Sequence, residues 1–408
     1  MTIATGDVVS DLSADVAVIG AGPAGSAAAL VLARSGLDVV LIDRARFPRD
    51  KACGDGLMPD ALAALRALGV ADRVLAGARV LGALRIYSPN GTAVSVSGEF
   101  AVVPRERLDA CLCDAAVEGG ARFIAAVRAV APIEDDGRVA GVVGETTRGE
   151  SVCVHARVAV LATGASAGPL MAFGVCDRSR ATATAARFYV TLDPAVSFDL
   201  DCLCISYERS ICPAYGWVFP GPAGSFNVGV GYSHEAPPPT RNLRELMARF
   251  LDNFPPAREL AKLGGRTSVV RGAPLRTGMT GSRLSRPGLL VAGEAAGLTY
   301  PISGEGIGKA IESGILAAEI IREGLHAGDG TEAIADRYAD ALEAKFLRRF
   351  QAYANAQRWV AHPGLLDFLA WRANAGTYVR RQIEGLVNET AEPGAILSVR
   401  GIVRSLFS

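Results

Sequence analysis

Between Asp15 and Asp43 three glycines stand in the spacing Gly20-x-Gly22-x-x-Gly25. An apolar run, Val16 to Ile19, precedes them; a small-residue stretch and a second apolar run, Val39 to Ile42, follow and end in Asp43. This pattern can hold the pyrophosphate of a dinucleotide. Gly20 permits a tight strand-to-helix turn, Gly22 lets the backbone approach a phosphate, and Gly25 lets helix and strand pack closely, so the phosphates meet the positive end of the helix. Asp43, about twenty residues further on, accepts the ribose hydroxyls. A Gly-rich loop alone often marks only a turn, but here the strand before it, the helix after it and the acid agree.

To position these groups the chain needs a βαβ unit, and its far end supplies a second half. Leu289 to Gly293 reads as a buried strand and Gly304 to Arg322 as a helix. One nucleotide domain built from both ends of the chain follows, with other elements inserted between. Only one convincing glycine fingerprint exists. A flavoprotein that keeps one dinucleotide bound fits this better than an enzyme with separate flavin and nicotinamide domains.

After Asp43 the sequence predicts a loop to Gly56, a helix from Pro59 to Leu68, a strand pair from Leu84 to Val96 turning at Pro89-Asn90-Gly91, and a helix from Arg105 to Glu118. Strands are expected at 122–130, 139–144 and 152–161, ending at the turn Ala162-Thr163-Gly164. Residues 181–271 alternate in the manner of an antiparallel sheet. From Ser225 to Tyr232, Phe226, Val228, Val230 and Tyr232 share one face, while Ser225, Asn227, Gly229 and Gly231 share the other. Residues 331–408 are helical in pattern.

The chain has 408 residues, 50% of them hydrophobic, enough for two or three domains. Lys plus Arg equals Asp plus Glu at 42 each, so net charge argues against a nucleic-acid partner. No apolar run approaches the roughly 18 residues of a spanning helix, and Met1 to Ser13 lacks the zones of a signal peptide. The expected location is cytoplasmic. The eight cysteines have no metal-like spacing; Cys111 with Cys113, and Cys202 with Cys204, read as packed thiols in a reducing compartment. No metal site is expected. The segment 395–407, which mixes apolar residues with Arg400 and Arg404, could lie on a membrane surface to collect a lipid or pack on its own domain as an amphipathic helix.

Further segments carry a resemblance. Phe47-Pro48-Arg49-Asp50-Lys51-Ala52-Cys53-Gly54-Asp55-Gly56, Val103-Pro104-Arg105-Glu106-Arg107-Leu108-Asp109, Tyr215-Gly216-Trp217-Val218-Phe219-Pro220, and Gly293-Glu294-Ala295-Ala296-Gly297 with Pro301-Ile302-Ser303-Gly304-Glu305-Gly306 match, in content and order, the geranylgeranyl reductase family. That family shares the para-hydroxybenzoate hydroxylase type of FAD fold. The resemblance spans nearly the whole chain. It implies an α/β architecture: a discontinuous Rossmann-like FAD-binding domain (1–78, 101–180 and 272–330), an inserted antiparallel-sheet substrate domain (79–100 and 181–271) and a C-terminal helical region (331–408).

By the same resemblance, FAD would be contacted by Gly20, Gly22, Ala24, Gly25, Asp43, Arg44, Cys53, Gly54, Arg105, Gly164, Gly293, Glu294, Gly304, Gly306 and Ile307. Glu294 stands where the family has Asp, one methylene shorter. Backbone N–H groups around Gly304 to Gly308 would stabilise the charge that grows at flavin N1 on reduction. The loop at Cys53 and Gly54 would pass the isoalloxazine, where the thiol could tune the flavin, donate a proton or pack. Strand alternation puts Tyr215, Trp217 and Phe219 on one face, an aromatic wall suited to an extended hydrocarbon.

The implied reaction is FAD-dependent saturation of carbon–carbon double bonds in an isoprenoid or similarly apolar natural product. It needs a hydride at one carbon, a proton at the other, and a site that excludes water. Tyr215, Cys53 and an ordered water are the proton sources considered, and the electron donor is NAD(P)H or ferredoxin. Three rivals share the fold. A hydroxylase of the related type often carries Asp-Gly where this chain has Thr163-Gly164. Halogenases carry a Trp-x-Trp-x-Ile-Pro segment and need a lysine, but Lys51, Lys262, Lys309 and Lys345 lack that context. Prenyl carriers perform no redox chemistry, and the intact glycine fingerprint argues against that reading.

Overall fold

Four apolar runs form the centre of a sheet because both of its faces are covered, and strands so placed have no need of polar alternation. Val16–Ile19, Val39–Ile42, Val158–Leu161 and Leu289–Val291 are all essentially inaccessible to solvent. In this computed structural model, which describes residues 8–177, 180–279 and 281–391, the order across the sheet is Ser285–Arg286, Leu289–Val291, Ser151–Leu161, Val8–Ile19, Val39–Asp43, Arg122–Ala125. All neighbours are parallel except the first pair. The carboxyl ends of the parallel strands therefore open along one edge, the place where such sheets bind ligands.

Helices Pro23–Arg34 and Ile307–Ala327 pack closely against each other because small residues meet. A methyl group at Gly314 would sit 2.2 Å from the Ala24 carbonyl oxygen. Two segments distant in the sequence are thus locked together behind the glycine turn. Val127–Asp135 and Arg138–Thr146 continue antiparallel from Ser151–Leu161 as a meander.

A second sheet runs in the order Arg266–Thr267, Ala183–Thr191, Ser225–Ser233, Tyr215–Pro220, Leu203–Ser206, Arg79–Tyr87, Ala93–Val102, Gly56–Leu57; Arg271–Leu275 also pairs with Ala183–Thr191. The alternation in Ser225–Ser233 determines how it is used. Phe226, Val228 and Val230 join a core with Leu246 and Phe250 of the helix Leu243–Asn253, Leu260 of the helix Pro255–Lys262, and Phe254 between the two. Asn227, Gly229 and Gly231 face the other way, toward the first sheet's open edge.

Some expectations are corrected. The strand expected at 122–130 breaks at Ala126, whose φ is 62°. The helix expected from Gly304 begins at Ile307, the preceding residues forming a turn. The inserted sheet is not wholly antiparallel, since Leu203–Ser206 pairs in parallel with Arg79–Tyr87, and the helices of 243–262 were not anticipated there. Helices Thr331–Val360, Pro363–Ala375 and Thr377–Val387 follow. The segment 395–407 lies outside the described residues. Among those described, no helix is long and apolar enough to cross a membrane.

Candidate functional site

A cavity of about 560 Å³ lies between the carboxyl edge of the parallel strands and the glycine-bearing face of the second sheet. Gly20, Gly22, Ala24, Asp43, Arg44, Cys53, Gly54, Arg105, Gly164, Glu294, Gly304, Gly306 and Ile307 line it, together with Tyr215, Trp217 and Phe219. Gly25 and Gly293 are not on its surface. Both act from behind: a methyl group at Gly25 would sit 1.8 Å from the Gly20 carbonyl oxygen, and one at Gly293 would sit 2.9 Å from Ala24 Cβ.

The residues fit a dinucleotide. At Gly20 φ is +103° and a methyl group would collide with the Ala162 carbonyl oxygen at 2.5 Å, so the turn itself demands glycine. At Gly22 only the Arg49 guanidinium, at 3.8 Å, would be near an added methyl, so the backbone meets open space. Asp43 is held by two backbone donors: Ala21 N donates to Oδ2 and Ala45 N to Oδ1, each at 2.8 Å. The carboxylate lines the cavity with accepting capacity beyond these two bonds. Thr163 Oγ1 is buried and has no hydrogen-bond partner in the protein. It lines the same cavity, as a ligand-binding hydroxyl would.

Glu294, one methylene longer than the family's Asp, is tethered at both oxygens. Lys51 Nζ lies 3.2 Å from Oε2, and Arg276 N donates to Oε1 at 3.4 Å. Arg105 is buried rather than solvated. Its Nε and Nη2 donate to Asp109 at 2.7 and 2.8 Å, and Arg49 reaches the same carboxylate at 2.9 Å. Arg44 is exposed at the cavity rim.

The aromatic wall forms as strand alternation requires. Ring centroids of Tyr215 and Trp217 are 5.9 Å apart, and those of Trp217 and Phe219 6.4 Å. Trp217 lies against the neighbouring strand because Gly229 leaves room; a methyl group there would come within 2.0 Å of the indole. Its Nε1 donates to Asn227 Oδ1 at 2.9 Å, which satisfies the one polar atom of a ring otherwise in apolar surroundings. Tyr215 OH donates to the Ser303 carbonyl at 3.2 Å, joining the wall to the turn before the long helix.

Sequence reasoning missed the group that joins loop to wall. Asp55 is fully buried and has φ 64°. Tyr189 OH donates to its Oδ2 at 2.5 Å, Asn227 Nδ2 donates to the same oxygen at 2.8 Å, and Arg105 N donates to Oδ1 at 3.2 Å. Asn227 Nδ2 also donates to the Cys53 carbonyl at 2.8 Å. One amide thus links Trp217, Asp55 and the Cys53 loop. The available signal was Asn227 itself, a large amide on an otherwise glycine and serine face. Arg187, likewise unanticipated, is buried in the cavity wall; it pairs with Asp50 and lies 4.3 Å over the Tyr189 ring.

Burial pushes the Asp55 carboxyl up to about 6, against the lowering pull of its Tyr189 and Asn227 hydrogen bonds. Because the folded value exceeds the unfolded one, its favourable contribution is complete at acid pH and is lost as pH rises through about 6. Through Asn227, this titration should reach the indole. Trp217 fluorescence is expected to titrate with a midpoint near about 6, and Asp55→Asn should abolish that transition. A pH-independent wild-type signal would contradict the coupling.

A second buried polar group lies behind the cavity. Lys309 Nζ meets Asp60 at 3.2 Å and Glu312 and Glu389 at 2.7 Å each. These three carboxylates are close enough to hold a metal ion, but the ammonium fills the position. Cys202 Sγ and Cys204 Sγ lie 3.8 Å apart in the core, and Cys113 is buried.

Comparison with known proteins places these features in context. The FAD binding domain family matches residues 13–344. Menaquinone reductase of Mycolicibacterium smegmatis is 35% identical over 323 residues, 76% of this chain and 77% of that protein. Digeranylgeranylglycerophospholipid reductase of Thermoplasma acidophilum is 30% identical over 358 residues, 85% of this chain and 86% of that one. Two solved structures share the fold. A geranylgeranyl bacteriochlorophyll reductase-like protein of Thermoplasma acidophilum has a TM-score of 0.78 over 97% of this chain and 96% of that chain, at 24% identity. A flavin-dependent brominase has a TM-score of 0.76 over 97% and 98%, at 20% identity. At those identities the likeness concerns the fold alone.

Proposed function

Because this chain belongs to the FAD binding domain family, and within it to the geranylgeranyl reductase family, we propose that this FAD-dependent oxidoreductase saturates carbon–carbon double bonds of an isoprenoid chain. The observation that carries this reading is the shared cavity: the glycine phosphate loop and the row Tyr215, Trp217, Phe219 line one continuous space. An extended hydrocarbon held against that row would lie beside the cofactor and away from water. The relatives' substrates, a digeranylgeranyl lipid and a menaquinone, share an isoprenoid chain and differ in their polar ends.

Bound FAD would supply a hydride equivalent to one alkene carbon. The protein's part is placement. Gly20 and Gly22 would leave the pyrophosphate its approach, Asp43 and Thr163 would offer polar contacts, and backbone N–H groups around Gly304 to Gly308, at the start of the helix Ile307–Ala327, would stabilise negative charge on the reduced ring. Glycines 54 and 56 bring the Cys53 loop against Phe219, where added methyls would lie 3.2 and 3.1 Å from the ring, so the loop packs on the aromatic wall. The electrons would come from a nicotinamide or a ferredoxin. Working in the cytoplasm, the protein would take its lipid from a membrane surface.

The test is direct. Anaerobically reduced protein incubated with geranylgeranyl lipids and with menaquinone should return products heavier by two hydrogens per reduced bond. No mass gain with either, together with substrate-coupled oxygen uptake, would replace this reading with that of a hydroxylase.

A further inference from the structure

We propose that Glu305 supplies the proton that completes alkene reduction in this chamber, an assignment that rests on the function inferred above. The residue stands between Gly304 and Gly306 in the turn that opens the helix Ile307–Ala327, and it lines the same cavity as Tyr215, Trp217 and the Cys53 loop. The turn is fixed on both sides. Tyr300 N donates to the Glu305 carbonyl at 2.8 Å, and Tyr215 OH donates to the Ser303 carbonyl at 3.2 Å. Gly304 lies so close beneath Tyr215 that a methyl group there would come within 2.4 Å of the phenol oxygen. Glu305 is thereby held at the tyrosine end of the aromatic wall.

The surroundings keep its carboxyl protonated. Desolvation, then the charges of Asp60 from the helix Pro59–Ala67 and Glu389 near the chain's end, push it up to about 8; Ser303 and Lys309 pull weakly the other way. Tyr207, Tyr215 and Tyr353 are further titratable groups that feel its charge. A general acid works best when its pKa lies near the working pH, so that it both holds the proton and releases it. Tyr215 is a poorer donor, because burial and Glu305 push its phenol further above its ordinary range. Of the other carboxyls on the cavity, Asp55 accepts three hydrogen bonds from protein donors, Asp50 is paired with Arg187 and Arg271, and Asp43 and Glu294 are engaged as described.

The step balances. One alkene carbon receives a hydride equivalent from the reduced cofactor, the π electron pair forms the second C–H bond with the proton from Glu305, and the carboxylate left behind regains a proton from water. Lys309 and its three carboxylates run to Lys345, which pairs with Glu312 at 3.0 Å and is half exposed, so the charged cluster whose field acts on Glu305 reaches the surface.

Two measurements test this. Infrared spectra of the FAD-loaded protein, which need no turnover, should show the carbonyl band of a protonated carboxyl that titrates away with a midpoint of about 8 and is missing from Glu305→Gln. In anaerobic stopped flow, oxidation of the reduced cofactor by the isoprenoid alkene should slow by about 100-fold or more in Glu305→Gln, while Glu305→Asp, which keeps a carboxyl, recovers part of the rate and reduction by dithionite is unaffected. A band that survives in Glu305→Gln, or a Gln variant as fast as wild type, would overturn the assignment and leave the function standing. If no isoprenoid alkene oxidises wild-type protein although the band behaves as expected, the function itself fails and the donor role falls with it.

Discussion

Gly25→Val is expected to yield a protein that emerges from purification without flavin colour and unfolds at lower denaturant concentration. The new Cβ would stand 1.8 Å from the Gly20 carbonyl oxygen and 3.2 Å from the Val18 side chain. The first contact sets a Cβ, whose position the backbone fixes, against a backbone carbonyl, so no rotamer change relieves it. The helix Pro23–Arg34 must move away from the strand Val8–Ile19, and the phosphate loop between them moves with it. Overpacking of this kind costs about 1–3 kcal/mol, and more where the neighbour is rigid; loss of the loop geometry removes the backbone contacts and helix-end field that a pyrophosphate needs. Asp43→Ala separates the two effects. It leaves the packing at Gly25 untouched but removes the carboxylate that accepts from Ala21 N and Ala45 N and that is proposed to hold the ribose, and should weaken FAD binding by about 10- to 100-fold, on the order of one charged hydrogen bond. Titration of stripped protein with FAD, followed by flavin fluorescence, checks both. A Gly25→Val protein that binds FAD like wild type would mean that close packing behind the loop is not what shapes it.

Lys309→Met should destabilise the fold by about 3–5 kcal/mol at neutral pH, the usual penalty for stranding buried charge. The Lys309 side chain is 3% exposed and is the shared partner of three carboxylates, so its removal leaves mutual repulsion in place of attraction. The pH dependence identifies the cause. In wild type the cluster raises the lysine pKa above its ordinary value, so the ammonium's contribution stays intact through the neutral range. In the variant the carboxylates titrate above their unfolded values, and the stability they cost is regained as pH falls and they protonate. The gap between variant and wild type in urea unfolding should therefore narrow from about pH 8 to about pH 5. A gap constant across that range would assign the loss to packing instead.

Much of the architecture was legible because it is local. The glycine spacing, the apolar runs flanking it and the alternation in Ser225–Tyr232 each follow from a few consecutive residues, and the structure builds the expected elements from them. Where local reading erred, a longer-range contact was responsible. Leu203–Ser206 pairs in parallel with Arg79–Tyr87, a partnership between strands more than a hundred residues apart that neither strand's alternation encodes. The helix of Leu243–Asn253 carries Leu246, Met247 and Phe250 at helical spacing, and the surrounding strand pattern masked it.

The site divides in the same way. Gly20, Gly22, Asp43 and the row of Tyr215, Trp217 and Phe219 announce themselves by spacing. Asp55, Asn227, Tyr189, Arg187 and Glu305 do not, because each matters through partners that come from elsewhere in the chain. Asp55 and Tyr189 are 134 positions apart and share one hydrogen bond; the neighbours that keep a proton on Glu305 are Asp60 and Glu389, from opposite ends of the sequence.

Residue order alone indicated a dinucleotide fold, the glycine turn after its first strand and the aromatic face of Tyr215, Trp217 and Phe219, since backbone permissiveness and side-chain periodicity are properties of neighbours along the chain. Which carboxyls are desolvated, which are paired and which keep a proton was decided only when distant segments met. Electrostatic energy and burial depend on distance in space, and sequence separation does not measure it.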